Sequence, residues 1–318
     1  MGGLLCLSIA RGEHPKALQL RVPVEKEAEP VEMGPSGELY RGRAFGGDAA
    51  IKVLKTYRSR NRVDFIKVML SEVIISCYSQ HPNILPCYGI YNPQSQAPVG
   101  LVSPWMGNGN VGDYLRGNPQ ANRLLLISDV AAGLSYLHDN GIVHGDLQGA
   151  NVLVSASGRA CISNFSLSTL SSHEKSSVGL DFGAIRWQAP ELFAKLDSDE
   201  VRITTKSDIY SFGCVSYEIM TGNIPFYNIR KILAIPALVL AGARPQKPDA
   251  ADPKYQAYGP TKRTWSFIET CWQQDADLRP TALELHHRAL SSSVACPRPT
   301  QQSDDASLGI SSPGCASE

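Results

Sequence analysis

Apolar positions along this chain change period twice. From Arg21 to about Tyr91 they fall in short runs that suit strands, interrupted by one helical stretch. Asp48 to Lys55 (DAAIKVLK) reads as a compact strand entered from a turn at Gly46 and Gly47. Asn61 to Ser79 repeats at helical spacing, with Val63, Ile66, Leu70, Val73 and Cys77 on one face. His81-Pro82 ends that helix, because the residue before a proline avoids helical dihedrals. From Gly112 the pattern turns helix-rich, and Leu124 to His138 and Asp208 to Thr221 are predicted as helices. Between them Val152–Val154 and Ala160–Ile162 flank a turn at Ser155–Gly158, which predicts a hairpin. The pattern predicts an α+β chain: a small strand-rich lobe, then a larger helical lobe, with a hinge near Ser103 to Gly107. Residues 1–21 show no clear period and are expected to be a frayed terminal tail. Past about Leu290 serine, proline, aspartate and glutamine dominate, so residues 291–318 are expected to be a disordered tail.

Composition narrows this picture only slightly. At 318 residues the chain is long enough for a substantial core. Lysine plus arginine equal aspartate plus glutamate at 30 each, so charge offers no nucleic-acid footprint. The eight cysteines contain no C-x-x-C pair, which suits free thiols in a reducing compartment better than a disulfide framework or a zinc site. The longest apolar run, Ile232 to Ala243, is twelve residues with Pro236 inside it, too short for a membrane span. Gly2 stands where N-myristoylation wants it, but Cys6 occupies the place of the required serine or threonine. An intracellular, cytoplasmic protein is the expectation.

The segment His144-Gly-Asp-Leu-Gln-Gly-Ala-Asn151 places an acid and an amide five residues apart, between a helix and a strand. Further along stand Trp187-Gln-Ala-Pro-Glu191, Ser207-Asp-Ile-Tyr-Ser-Phe-Gly213, Cys271-Trp272 and Asp277-Leu-Arg-Pro280. Upstream lie Glu32-Met-Gly34-Pro-Ser-Gly37-Glu-Leu39 and Ala49-Ala-Ile-Lys52, with Glu72 nine residues before His81. In this order and spacing the motifs resemble a protein kinase domain over about residues 22–290, an N-lobe to about 103 and a C-lobe from about 107. The phrasing is most similar to the tyrosine-kinase-like group in its basidiomycete fungal form.

The resemblance implies a bilobal fold, ATP as ligand with Mg²⁺ or Mn²⁺, and a protein substrate or signalling partner. Lys52 would offset phosphate charge, held by Glu72. Gly34 and Gly37 would let backbone amides approach phosphates, and Leu39, Ala50, Ser103, Met106 and Leu153 would line the adenine site. Asp146 would accept the substrate hydroxyl proton and Asn151 would hold a metal ion. Glu191 would pair with Arg279 to pin the substrate segment, and Asp208 would hold the catalytic-loop backbone. Each has a plainer alternative: a strand lysine facing water, a hairpin turn, a turn aspartate, a surface charge, a helix N-cap.

Several positions depart from the family pattern. Eighteen residues after Asp146, where a second metal-binding acid opens an Asp-Phe-Gly motif, stands Asn164 in Ser163-Asn-Phe-Ser166. An amide is a neutral donor, whereas Mg²⁺ prefers carboxylate and phosphate oxygens. The literal Asp181-Phe-Gly183 lies only eight residues before Ala189 and reads as activation-segment sequence. Glu32 replaces the first loop glycine, Gly145 an arginine that pairs with activation-loop phosphate, and Gln148 a phosphate-steadying lysine. Ala150 and Ala184 stand at two further functional positions. Three readings stay open: a pseudokinase or very weak kinase, an active Ser/Thr kinase, and a small-molecule phosphotransferase. Serines 166, 168, 171, 172, 176 and 177 are candidate phosphosites or ordinary loop serines.

Overall fold

The computed structural model describes residues 2–34, 37–54, 62–92, 99–170, 184–194, 202–249, 251 and 259–293. They divide into two units: Met1–Gln80 with Pro86–Trp105, and His81–Leu85 with Met106–Ala295.

The first unit opens with helix α1 (Gly2–Arg11), followed by strands β1 (Val24–Lys26), β2 (Glu32–Gly34), β3 (Gly37–Ala44) and β4 (Gly47–Leu54). Helix α2 (Arg62–Tyr78) and strands β5 (Gly89–Tyr91) and β6 (Gly100–Pro104) complete it. The antiparallel sheet runs β1-β3-β4-β6-β5, with β2 also on β3. Strand β4 therefore sits centrally, which suits its buried Ala49, Ala50, Ile51 and Leu54. Alternation assigns the two faces. Ile51 and Val102 pack with Ala44 and Ala49 on one side. Leu54, Leu101 and Ile90 pack with Val73 of α2 on the other. Burial around α2 is nearly continuous, with Leu70, Val73, Ile74 and Ile75 all inaccessible.

The segment expected as a frayed tail is built into this unit. Helix α1 packs on α2 and buries Leu5. Leu18 joins the Val73 cluster, and Leu20 N–H donates to the Ile90 carbonyl at 2.9 Å. That approach needs Gly89, whose φ is 144°, because a Cβ there would lie 2.6 Å from the Leu18 carbonyl.

The second unit is mostly helical: α3 (Val111–Gly117), α4 (Arg123–Asp139), α5 (Pro190–Ala194), α6 (Thr205–Thr221), α7 (Ile235–Leu240), α8 (Lys262–Cys271) and α9 (Ala282–Ser293). Two small ladders accompany them: β7 (Ile142–Val143) with β10 (Thr169–Leu170), and β8 (Val152–Val154) with β9 (Ala160–Ile162). The second is the expected hairpin, register Val152↔Ile162. Helix α6 is the core of the unit, buried along most of its length. Thr204 and Ser207 start it with a reciprocal capping box, and Gly222 at φ 72° stops it. Helix α4 packs against α6, α9 and β9. Among the described residues no helix is long and apolar enough to cross a membrane.

Candidate functional site

The loop His144–Asn151 leaves β7 with its backbone fixed by one carboxylate. Asp208, in the first turn of α6 and 1% exposed, accepts from His144 N–H at 2.8 Å and Gly145 N–H at 2.9 Å. His138 Nε2 meets the same carboxylate at 2.9 Å. The N-cap of the helix is Thr204, so Asp208 is left to serve the loop. Gly145 has φ 77°, and a Cβ there would lie 2.9 Å from the Leu167 carbonyl. The family arginine is thus absent at a position whose backbone favours glycine.

Asp146, Asn151 and Asn164 come together. Asn151 Nδ2 donates to Asp146 Oδ2 at 2.9 Å and to the Asp146 carbonyl at 2.7 Å. Gln148 Nε2 donates to Asp146 Oδ1 at 2.8 Å. Asn164 Nδ2 reaches Asn151 Oδ1 at 3.1 Å and Asp146 Oδ2 at 3.4 Å. The φ of Asn164 is 65°, a left-handed conformation that asparagine tolerates better than most residues. The buried His144 ring braces the cluster: Nδ1 accepts from Asp146 N–H at 3.2 Å and Nε2 lies 3.1 Å from the Ser163 carbonyl. Those partners require the Nε2–H tautomer. Phe165 packs edge-on against the ring, centroids 5.5 Å apart.

This donor set carries little charge. It offers one carboxylate, both of whose oxygens accept amide N–H groups, and the Asn151 oxygen is met by Asn164 nitrogen. Hard cations bind oxygen, preferably charged. Among the described residues, no group of three or more His, Cys, Asp or Glu side chains is placed to hold a metal ion.

Glu218, a residue the sequence did not single out, ties this loop to the segment around Trp187. Its Oε2 accepts from Gly149 N–H at 3.2 Å and from Trp187 Nε1–H at 3.1 Å. Burial pushes its pKa up to about 7, against the opposing effect of both hydrogen bonds. A Cβ on residue 149 would meet the Glu218 carboxyl group, so any larger residue there makes that side chain shift away from Gly149 N–H and Trp187. The only hint in sequence is an acid beyond the first turn of helix α6, among the mostly apolar residues Phe212–Met220.

Arg279, fully buried, holds Glu191 through two N–H···O bonds of 2.7 and 2.8 Å, and also donates to the Gln273 and Lys206 carbonyls at 2.9 Å each. Arg186 donates to the Pro225, Phe226 and Ile229 carbonyls, so the chain around Trp187 is fastened from both sides.

In the first unit, Lys52 Nζ on β4 donates to Glu72 Oε1 on α2 at 2.5 Å, with the Glu72 side chain 4% exposed. Register puts Lys52 opposite Leu39, Ala50 opposite Ser103, and Gly34 opposite Gly37 at the mouth of the β2–β3 turn. Pro35 and Ser36 of that turn lie outside the described residues. Gly37 allows close contact, since a Cβ there would strike the Val53 carbonyl. Gly34, Gly37, Leu39, Ala50, Lys52, Glu72 and Ser103 all belong to the first unit, whereas Met106 and Leu153 belong to the second.

One expectation changes, at two serines. Ser166 and Ser168 are buried, and Ser168 Oγ donates to the His144 carbonyl at 2.9 Å, so neither is available as a phosphosite. Serines 171, 172, 176 and 177, Asp181-Phe-Gly183 and residues 294–318 lie outside the described residues.

The sequence profile of the protein tyrosine and serine/threonine kinase family matches residues 26–289. The chain belongs to this family. Its fold is the α+β protein kinase fold, with a sheet-rich N-lobe and a helical C-lobe. Serine/threonine-protein kinase STY17 of Arabidopsis thaliana is 29% identical over 269 residues, 83% of this chain and 43% of the relative. A probable LIM domain-containing serine/threonine-protein kinase of Dictyostelium discoideum is 32% identical over 261 residues, 80% of this chain and 37% of the relative. Serine/threonine/tyrosine-protein kinase HT1 of Arabidopsis thaliana is 28% identical over 255 residues, 78% of this chain and 61% of the relative. The chain therefore spans less than two thirds of the length of each of these relatives. Kinases of this family in general use ATP, a divalent metal and protein substrates.

Proposed function

We propose that this kinase domain is a nucleotide-binding signalling module with curtailed phosphate transfer, a pseudokinase or very weak kinase of intracellular, cytoplasmic location. One observation carries the reading: Asn164 stands where the family's second metal-binding acid belongs, and its amide nitrogen points at Asn151 Oδ1. That N–H takes up the oxygen a metal ion would need. Asp146 is likewise engaged by Gln148 and Asn151, so an incoming hydroxyl must displace an amide before it can give up its proton. Lys52 with Glu72 supports nucleotide binding. The domain is taken as 22–290, the lineage as tyrosine-kinase-like of basidiomycete type, and the metal motif as degenerate.

A second reading, an active Ser/Thr kinase, is favoured by the intact contact of Lys52 with Glu72 and by the survival of Asp146 and Asn151 in the motif string. Radiolabelled ATP transfer with Mg²⁺ and separately Mn²⁺ separates the two, using wild type, Asp146→Ala and Asn164→Asp. Negligible transfer by wild type with a gain in Asn164→Asp is the expected result. Robust wild-type transfer that vanishes in Asp146→Ala would establish the enzyme and end the pseudokinase reading.

A further inference from the structure

Away from these residues, two thiols touch. Cys77, in the last turn of α2, and Cys87, in the chain entering β5, bring their sulfurs to 2.9 Å. Both are free and half-buried. Cys77 lies four residues after Val73, hence on the same stripe of α2, and both thiols pack against the Val73, Leu54, Leu101 and Ile90 cluster. A disulfide bond is about 2.05 Å long, so closure asks for a sulfur shift of about 0.9 Å from a 2.9 Å contact. Elsewhere Cys161, Cys214 and Cys271 are buried in the second unit.

We propose that Cys77 and Cys87 form a reversible thiol modification site, oxidised by hydrogen peroxide to a disulfide that clamps the end of α2 to the chain entering β5. In the first step the Cys87 sulfur attacks the peroxide oxygen, giving a sulfenic acid and water. In the second the Cys77 sulfur attacks the Cys87 sulfur, the S–S bond forms, and a second water leaves. Two thiols are oxidised and one peroxide is reduced; a dithiol reductant reverses the change. The hydrogen bond to Cys87, together with burial, pushes the Cys77 thiol up, so its proton passes to the departing hydroxyl of the Cys87 sulfenic acid as the S–S bond forms, and this gives the second water. Glu72 lies beside Val73 on the same helix, so the clamp steadies the turn of α2 that carries the partner of Lys52.

The test treats the full chain with hydrogen peroxide, blocks remaining thiols with N-ethylmaleimide, and maps peptides alongside thermal unfolding. The expected result is a peptide joining Cys77 to Cys87 with the loss of two hydrogens, a rise in Tm, and reversal of both by dithiothreitol. Cys77→Ser and Cys87→Ser should each lose both signals; if either fails to fold, the wild-type map decides alone. Overturning results are free Cys77 and Cys87 at doses that oxidise the exposed Cys6, a bond to any other cysteine, or a cross-link that leaves Tm unchanged. None of these readouts uses nucleotide, so they stand apart from the proposed kinase chemistry.

Discussion

Arg279 and Glu191, 88 residues apart in the chain, meet through two parallel N–H···O bonds of 2.7 and 2.8 Å. The guanidinium is inaccessible, and its remaining donors are spent on main-chain carbonyls. Arg279→Ala therefore leaves carbonyls and a carboxylate without their partner, and should lower stability by about 3–5 kcal/mol. Arg279→Lys should recover only part, because an ammonium cannot make the paired contact. Chemical denaturation of both variants measures this; an alanine variant within about 1 kcal/mol of wild type would contradict it.

Asp208 carries two main-chain N–H bonds and the His138 contact on one carboxylate. Asp208→Asn keeps one oxygen and turns an N–H toward a donor. We expect a loss of about 2–3 kcal/mol and faster hydrogen exchange at the His144 and Gly145 amides. Unchanged protection at those two amides would show that the loop is held by something else.

Removing one partner of the Lys52–Glu72 pair tests the first unit. Lys52→Met should weaken binding of a fluorescent ATP analogue about tenfold or more, equivalent to ~1.4 kcal/mol. Glu72→Gln should weaken it less, since the amide still accepts from Lys52. Equal affinity in all three proteins would remove the pair from the nucleotide site.

Glu218 supplies a pH signature. Its folded pKa is raised to about 7 from the ordinary carboxylate value of 4.5, so between those values the folded protein holds a proton that the unfolded chain has released. Stability from this group is fully present below the unfolded pKa and is lost as pH rises through about 7. Glu218→Gln keeps an oxygen for Gly149 and Trp187 but cannot ionise. It should flatten the pH dependence of unfolding between about pH 5 and 7.5 and gain on the order of 1–3 kcal/mol over wild type at pH 8. Parallel stability curves for the two proteins would exclude this role.

What the sequence made legible follows from where its signals were generated. Strand β4, helix α2 and the β8–β9 hairpin each bury one face or one run locally, so their periods survive in the sequence. The pairing of Lys52 with Glu72 and the convergence of Asp146, Asn151 and Asn164 were readable because their separations along the chain match an ordered motif string. Helix α1 was not, because its apolar residues cover more than one face and its partner α2 lies some sixty residues on. Glu218 was invisible for a related reason: its hydrogen bonds to Gly149 and Trp187 cross 69 and 31 residues. Only the fold shows that the missing Cβ of Gly149 and the carboxylate of Glu218 are one feature.

Strand β5 ends its sheet, and beyond it the backbone of Gln19 and Leu20 runs alongside Ile90. A bare strand edge offers unpaired amides and carbonyls to any extended chain that arrives, the usual starting point for edge-to-edge aggregation. The residues ahead of β1 thus act as a stopper on the sheet. A fragment beginning after Leu20 would keep every motif quoted above and yet be prone to stick to itself, so poor solubility of such a fragment would report an uncovered edge and not a misfolded kinase domain.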